Sequence, residues 1–280
     1  MQLLQLSGHL PLAVLHALAA VGSVVLYSLL GYRRRVVREN LNRAFPRKNE
    51  KELTLLEKSV YRNLTNVAVE ILRARCMPQR ALERRIHTHG GDLLRTASDD
   101  FRRPLIVLTL HQGNWEWMLH SIRHFVDMPL VPVYKPLHNA AIDILMMEIR
   151  GRFGALPLPI EEVSGNLLQH RREPRCLLML ADQSPIQGER EHWVPFFGRP
   201  TAFHLGPARL AHALDAAVVF ARCTRMASGH YEVTYQLLAV PQEGLGENEI
   251  IERYASASEQ AIRAQPETWL WTNRRWKRSP

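Results

Sequence analysis

The stretch Leu105-Ile-Val-Leu-Thr-Leu-His111-Gln-Gly-Asn-Trp-Glu116 brings together the side-chain types of general-base catalysis. A neutral imidazole can take the proton of an attacking hydroxyl. A carboxylate bonded to its other ring nitrogen fixes the tautomer and stabilises the imidazolium that forms. Glu116 stands five residues after His111, within reach across a turn, so the spacing predicts His111 as base and Glu116 as its orienting partner. The nucleophile is then a hydroxyl of the substrate, the base and orienter being two parts of a triad. A His and a Glu at this separation also occur as plain structural pairs, so the spacing alone names no reaction.

The elements around the pair suit that role. An apolar strand would deliver His111 to its carboxyl end, where ligands bind in open α/β sheets. Gly113 permits a sharp turn, and Asn114 is a good N-cap for a helix opening with Trp115. Glu116 falls in the first turn of that helix, where the macrodipole favours a carboxylate. Asn114 is also a candidate substrate contact at this edge. A second apolar run, Cys176–Ala181, ends at Asp182 and Gln183, which are candidate substrate-binding residues near the same pocket. Arg150, near the end of the helical stretch after Lys135-Pro136, is a candidate for holding a phosphate or an oxyanion, and Lys135 is a candidate substrate-binding residue. His87 and His89 alternate on a possible strand without a third ligand at sensible spacing, so no metal is expected.

The remaining chain alternates short apolar runs with helical patterns. The runs are Leu105–Leu110, Leu130–Tyr134, Ala155–Ile160, Cys176–Ala181 and Ala217–Arg222. The helical patterns are Trp115–Phe125, Ala140–Phe153, Val163–Arg171 and His204–Leu214. This alternation predicts an α/β fold with a mixed, mostly parallel sheet flanked by helices. His230–Leu238 reads as an edge or antiparallel strand, and two helices are expected between Arg33 and Arg75, broken at Pro46. With no repeat or linker, the chain divides into an N-terminal membrane anchor over 1–32 and a single domain over 33–280.

The anchor is Leu10 to Leu30, 21 residues without a charge. As a helix it is roughly 30 Å long, the thickness of a bilayer core. Basic residues follow it (Arg33, Arg34, Arg35 and Arg38) and none precedes it, which places the following domain on the cytoplasmic side. Three scattered cysteines among 280 residues fit a reducing compartment better than a disulfide framework. The net charge of +9 favours anionic partners. No Gly-x-Ser-x-Gly elbow, Walker loop or dinucleotide fingerprint occurs, so neither a serine hydrolase nor a bound nucleotide is expected. The tryptophans near the C-terminus (Trp269, Trp271, Trp276) lie among basic residues like an interfacial belt, without an RNA-binding signature, and no nucleic-acid partner is expected.

Several blocks in order resemble the late lipid A biosynthesis acyltransferases, the lauroyl and myristoyl transferases within the glycerolipid acyltransferase superfamily. They are Arg38-Glu-Asn-Leu-Asn-Arg-Ala-Phe-Pro46, His111-Gln-Gly-Asn-Trp-Glu116, Ala181-Asp-Gln183, Val194-Pro-Phe-Phe-Gly198, Pro266-Glu-Thr-Trp-Leu-Trp271 and Arg274-Arg275-Trp276-Lys277. The resemblance implies an acyl thioester donor, usually acyl carrier protein, and a phosphorylated glucosamine-based lipid as acceptor. It implies an inner-membrane location and neither a metal nor another cofactor. Gln112 and Asn114 depart from the family's common form at positions expected to line the entrance. The acceptor therefore stays open between a lipid A precursor and a lysophospholipid, a mannosylated lipid or a polyene. A membrane-surface binding protein without catalysis is the remaining alternative.

Overall fold

The computed structural model describes residues 10–170 and 173–278. The chain opens with α1 (Leu12–Val24), which continues to Leu29 with wider, π-type turns. Two helices follow, α2 (Arg34–Ala44) and α3 (Glu50–Ala74). Asn49 caps α3 by accepting from Glu52 N–H, and the Glu52 carboxylate returns the bond, so Pro46 and this capping box set the break expected between them. The strands and remaining helices then come as α4 (Gln79–Glu83), β1 (Ile86–His89), α5 (Asp92–Ala97), β2 (Leu105–Thr109), α6 (Trp115–Phe125), β3 (Leu130–Tyr134), α7 (Ala140–Gly151), β4 (Leu158–Pro159), α8 (Val163–Gln169) and β5 (Cys176–Leu180). The chain ends with β6 (Glu191–Phe196), β7 (Arg199–His204), α9 (Gly206–Leu214), β8 (Ala217–Ala227), β9 (His230–Ala239) and α10 (Glu247–Ala264).

Seven strands form one sheet in the order β1-β9-β8-β2-β5-β3-β4. The β8–β9 pair is antiparallel and every other pair in it is parallel. This is the mostly parallel α/β sheet that the alternation predicts. All five residues of β2 are buried, as a central strand covered on both faces requires. Its side chains alternate between two apolar layers: Ile106 and Leu108 pack toward α2, α3, α9 and α10, while Leu105 and Val107 pack toward α5, α6 and α7.

Differences from the sequence reading are local. The strand expected over Ala155–Ile160 shrinks to β4, and α8 stops at Gln169; Arg171 lies outside the described residues. Although β9 is antiparallel as expected, it is no edge, because β1 covers it. The hairpin β6–β7 and the helix α10 were not expected. In the hairpin, Phe197 and Gly198 both take positive φ (53° and 69°), the pattern of a tight two-residue turn. Glu259 of α10 accepts the Phe197 N–H at 2.6 Å and holds that costly conformation in place.

The helix over Leu12–Leu29 is long and apolar enough to cross a membrane, with a mean hydropathy of 2.0 over 18 residues. It does not stand apart. Leu15, Ala19 and Ser23 are buried where α1 packs along α3, while Val14, Leu18, Val21 and Val24 stay exposed on the outer side.

Candidate active site

β2 and β5 run parallel in register, with Thr109 opposite Leu180. Two residues past that pair, the register sets His111 beside Asp182. The imidazole Nδ1 lies 2.8 Å from Asp182 Oδ1, and the His111 backbone N–H donates to Asp182 Oδ2 at 3.2 Å. Asp182 is buried, which pushes its pKa up, but the charge and hydrogen bonds of His111 and the Trp269 indole outweigh that and hold the carboxyl below its ordinary range. The other ring nitrogen of His111, Nε2, faces the Gln183 amide nitrogen at 3.4 Å. The Trp115 ring meets the imidazole edge-on at 5.2 Å.

The carboxylate bonded to His111 is therefore Asp182, and the expected contact between His111 and Glu116 is corrected. Glu116 does lie in the first turn of α6, but its carboxylate is turned to Arg150 on α7. Arg150 Nε donates to Oε2 at 2.9 Å and Nη2 to Oε1 at 2.6 Å. This two-pronged pair is buried, with Glu116 at 3% exposure, and the Trp115 indole adds a third donor at 3.2 Å. Burial of the Arg150 guanidinium opposes its charge, yet the carboxylate beside it raises its pKa above the ordinary arginine value. The same guanidinium lies over the Tyr134 ring, 5.3 Å from its centre.

The turn between His111 and Glu116 admits only glycine. Gly113 has φ +62°, and a Cβ there would sit 2.5 Å from the Cys223 carbonyl oxygen of β8. Asn114 is an N-cap, as expected: its Oδ1 accepts Trp117 N–H at 3.0 Å. Its amide nitrogen donates to Glu70 at 3.1 Å, so both ends are engaged and the residue has no exposed surface. Gln112 is likewise turned inward, donating to the carbonyls of Ala261 and Gln265. Both are buried and turned into the protein rather than toward its surface. Lys135 follows β3, the neighbour of β5, and so stands at the same edge of the sheet, exposed and without an ion pair within 4 Å among the described residues.

Three contributors were missed from sequence. Glu70 on α3 is fully buried and accepts from His16 (2.9 Å), Arg225 (2.9 and 3.0 Å), Asn114, the Gly229 backbone (3.1 Å) and the Tyr231 hydroxyl. Burial alone would raise its pKa; these donors bring it down to about 2. Arg225, the second, is the cation of that cluster. Trp269, the third, donates to Asp182. Only Trp269 had a signal, as part of the block Pro266–Trp271. Arg38, from another of the blocks, pairs at 2.5 Å with Glu57, a second fully buried carboxylate of α3. Among the described residues no group of three His, Cys, Asp or Glu side chains is placed to hold a metal; His89 approaches only Glu232, at 3.6 Å.

A parallel-sheet edge carries a carboxylate-backed histidine in a His-x4-Glu segment, an arrangement suited to an acyltransferase. The model of the bacterial lipid A biosynthesis acyltransferases matches residues 2–278, nearly the whole chain, and the chain belongs to that family. No curated protein matches it.

Proposed function

We propose that this enzyme moves a fatty acyl chain from acyl carrier protein to a hydroxyl of a lipid A precursor, with His111 as general base. The observation that carries this reading is the His111–Asp182 pair at the carboxyl edge of the sheet. Asp182 accepts a hydrogen bond from Nδ1–H, which leaves the Nε2 lone pair for the acceptor hydroxyl. As Nε2 takes that proton, the hydroxyl oxygen bonds to the thioester carbonyl carbon. The tetrahedral intermediate collapses, the carbon–sulfur bond breaks, and Nε2 returns the proton to the departing thiolate. Asp182 stabilises the imidazolium throughout and is itself never protonated.

Glu116, the other proposed catalytic side chain, acts through its neighbours. It fixes the Trp115 ring against His111 and holds Arg150 with two of its nitrogens. The remaining Nη1 of Arg150 is the proposed donor to a substrate phosphate or to the oxyanion, with Lys135 as a second cation at the same edge. Gln183, beside Nε2, is the proposed contact to the reacting hydroxyl. The apolar helix Leu12–Leu29 supports a location at the inner membrane. The arginines directly after it support a cytoplasmic catalytic domain, where an acidic carrier protein and a phosphorylated lipid both meet a basic protein.

The experiment is acyl transfer by purified protein, offered carrier-protein thioesters of several lengths with a lipid A precursor or a lysophospholipid. Transfer to the precursor that vanishes in His111→Ala supports the reading. Transfer only to the lysophospholipid would discard the acceptor, and no transfer at all would discard the activity.

A further inference from the structure

We propose that Trp269 is a positioning residue for the catalytic pair: its indole N–H pins one oxygen of Asp182 so that the other faces His111. The Trp269 Nε1 donates to Asp182 Oδ2 at 2.7 Å, and both residues are buried. Without it, Oδ2 would keep a single donor, the His111 backbone N–H at 3.2 Å. A carboxylate torsion has broad minima, so a buried Asp needs fixed donors to present one chosen oxygen. Trp269 supplies the shorter of the two, which leaves Oδ1 to Nδ1 at 2.8 Å.

The segment that carries Trp269 is itself bound to the histidine loop. Leu270 N–H donates to the His111 carbonyl at 2.9 Å, and Gly113 N–H donates to the Thr268 carbonyl at 3.2 Å. Gln112 and Trp269 pair between these bonds as an antiparallel bridge. The strap is held from behind by Asn40, which donates to the Trp271 carbonyl at 2.8 Å, and by Asn63 on the Thr268 carbonyl at 3.3 Å. Thus the C-terminal strap fixes both members of the pair, His111 by its peptide and Asp182 by its carboxylate. The other charged or titratable groups whose fields reach Asp182 are His204, Tyr254 and Arg275; none of them donates to its oxygens.

The kinetic consequence rests on the acyltransfer reading, but the test also has a readout that needs no substrate. In Trp269→Phe Asp182 no longer holds Oδ1 against Nδ1, so the imidazolium of His111 loses stabilisation and forms only at lower pH. The rate of diethylpyrocarbonate modification of His111, followed by peptide mass spectrometry against pH, reads that midpoint. The midpoint is expected to move downward in Trp269→Phe. It should stay in place in Trp271→Phe, which removes a buried indole of the same strap that bonds only to the Pro266 carbonyl. In the transfer assay kcat should fall about tenfold, with the donor KM unchanged. An unmoved or raised midpoint in Trp269→Phe, or equal shifts in both variants, overturns the proposal whether or not transfer is seen. If Trp269→Phe does not fold, 3-benzothienylalanine at position 269 keeps the bicyclic shape, removes only the N–H, and carries the same expectations.

Discussion

His111 and Asp182 stand 71 residues apart in sequence and 2.8 Å apart in space, each two residues beyond the last paired position of its strand. The parallel register of β2 and β5 makes that contact, while the five-residue spacing within the motif does not. Glu116, the carboxylate that the spacing favours, instead binds two nitrogens of Arg150. The motif therefore contains the histidine and one member of a second charged pair, and the carboxylate bonded to His111 comes from the neighbouring strand.

Arg150 and Glu116 should depend on each other for stability. Arg150→Ala leaves a carboxylate of 3% exposure without its cation, which is expected to cost about 3–5 kcal/mol. Replacing both, as Glu116→Gln with Arg150→Met, should recover most of that stability without recovering transfer. Chemical denaturation of the three variants measures it. A single Arg150→Ala that melts like the wild type would show that the pair is not buried as described.

Acid should loosen the protein through Glu70. Its pKa is held near 2 against an ordinary value of 4.5, so its contribution to stability is complete above pH 4.5 and is lost as pH falls toward 2. The difference amounts to about 3 kcal/mol. Denaturation midpoints of the wild type should fall steeply over that window, and those of Glu70→Gln should start lower and change less. Parallel curves for the two proteins would contradict the assignment.

Removal of residues 1–30 is expected to do two things at once. It should release the protein from membranes, and it should lower Tm by about 5 °C, because α1 packs on α3 and His16 donates to Glu70. Vesicle flotation and a thermal melt of the truncated chain check both. Retention on vesicles in high salt would place the membrane contact on the catalytic domain itself.

Much of this was legible in the chain. Apolar runs such as Leu105–Leu110 and Cys176–Ala181 marked the central strands, and the residues just after them, His111, Asp182 and Gln183, lie together at one edge of the sheet. What linked them was not legible, because strand order and register arise from packing across the whole sheet. Glu70 reads as one more acid on an amphipathic helix until α1, β8 and β9 close over it. The hairpin β6–β7 was hidden by Pro195 in a short strand, and its turn depends on Glu259, 62 residues away. Asn114 and Gln112 were assigned outward by their place in the motif, yet the tight turn at Gly113 directs both into the protein.

The most direct test of the central claim is the turnover number of acyl transfer for His111→Ala, Asp182→Asn and the double variant, each shown to be folded by circular dichroism. If the two residues act as one unit, Asp182→Asn loses about 10⁴-fold in kcat, and the double variant is no slower than His111→Ala alone. Near-normal turnover in Asp182→Asn, or a double variant slower by the product of the two single losses, would contradict the pair as the base of this enzyme.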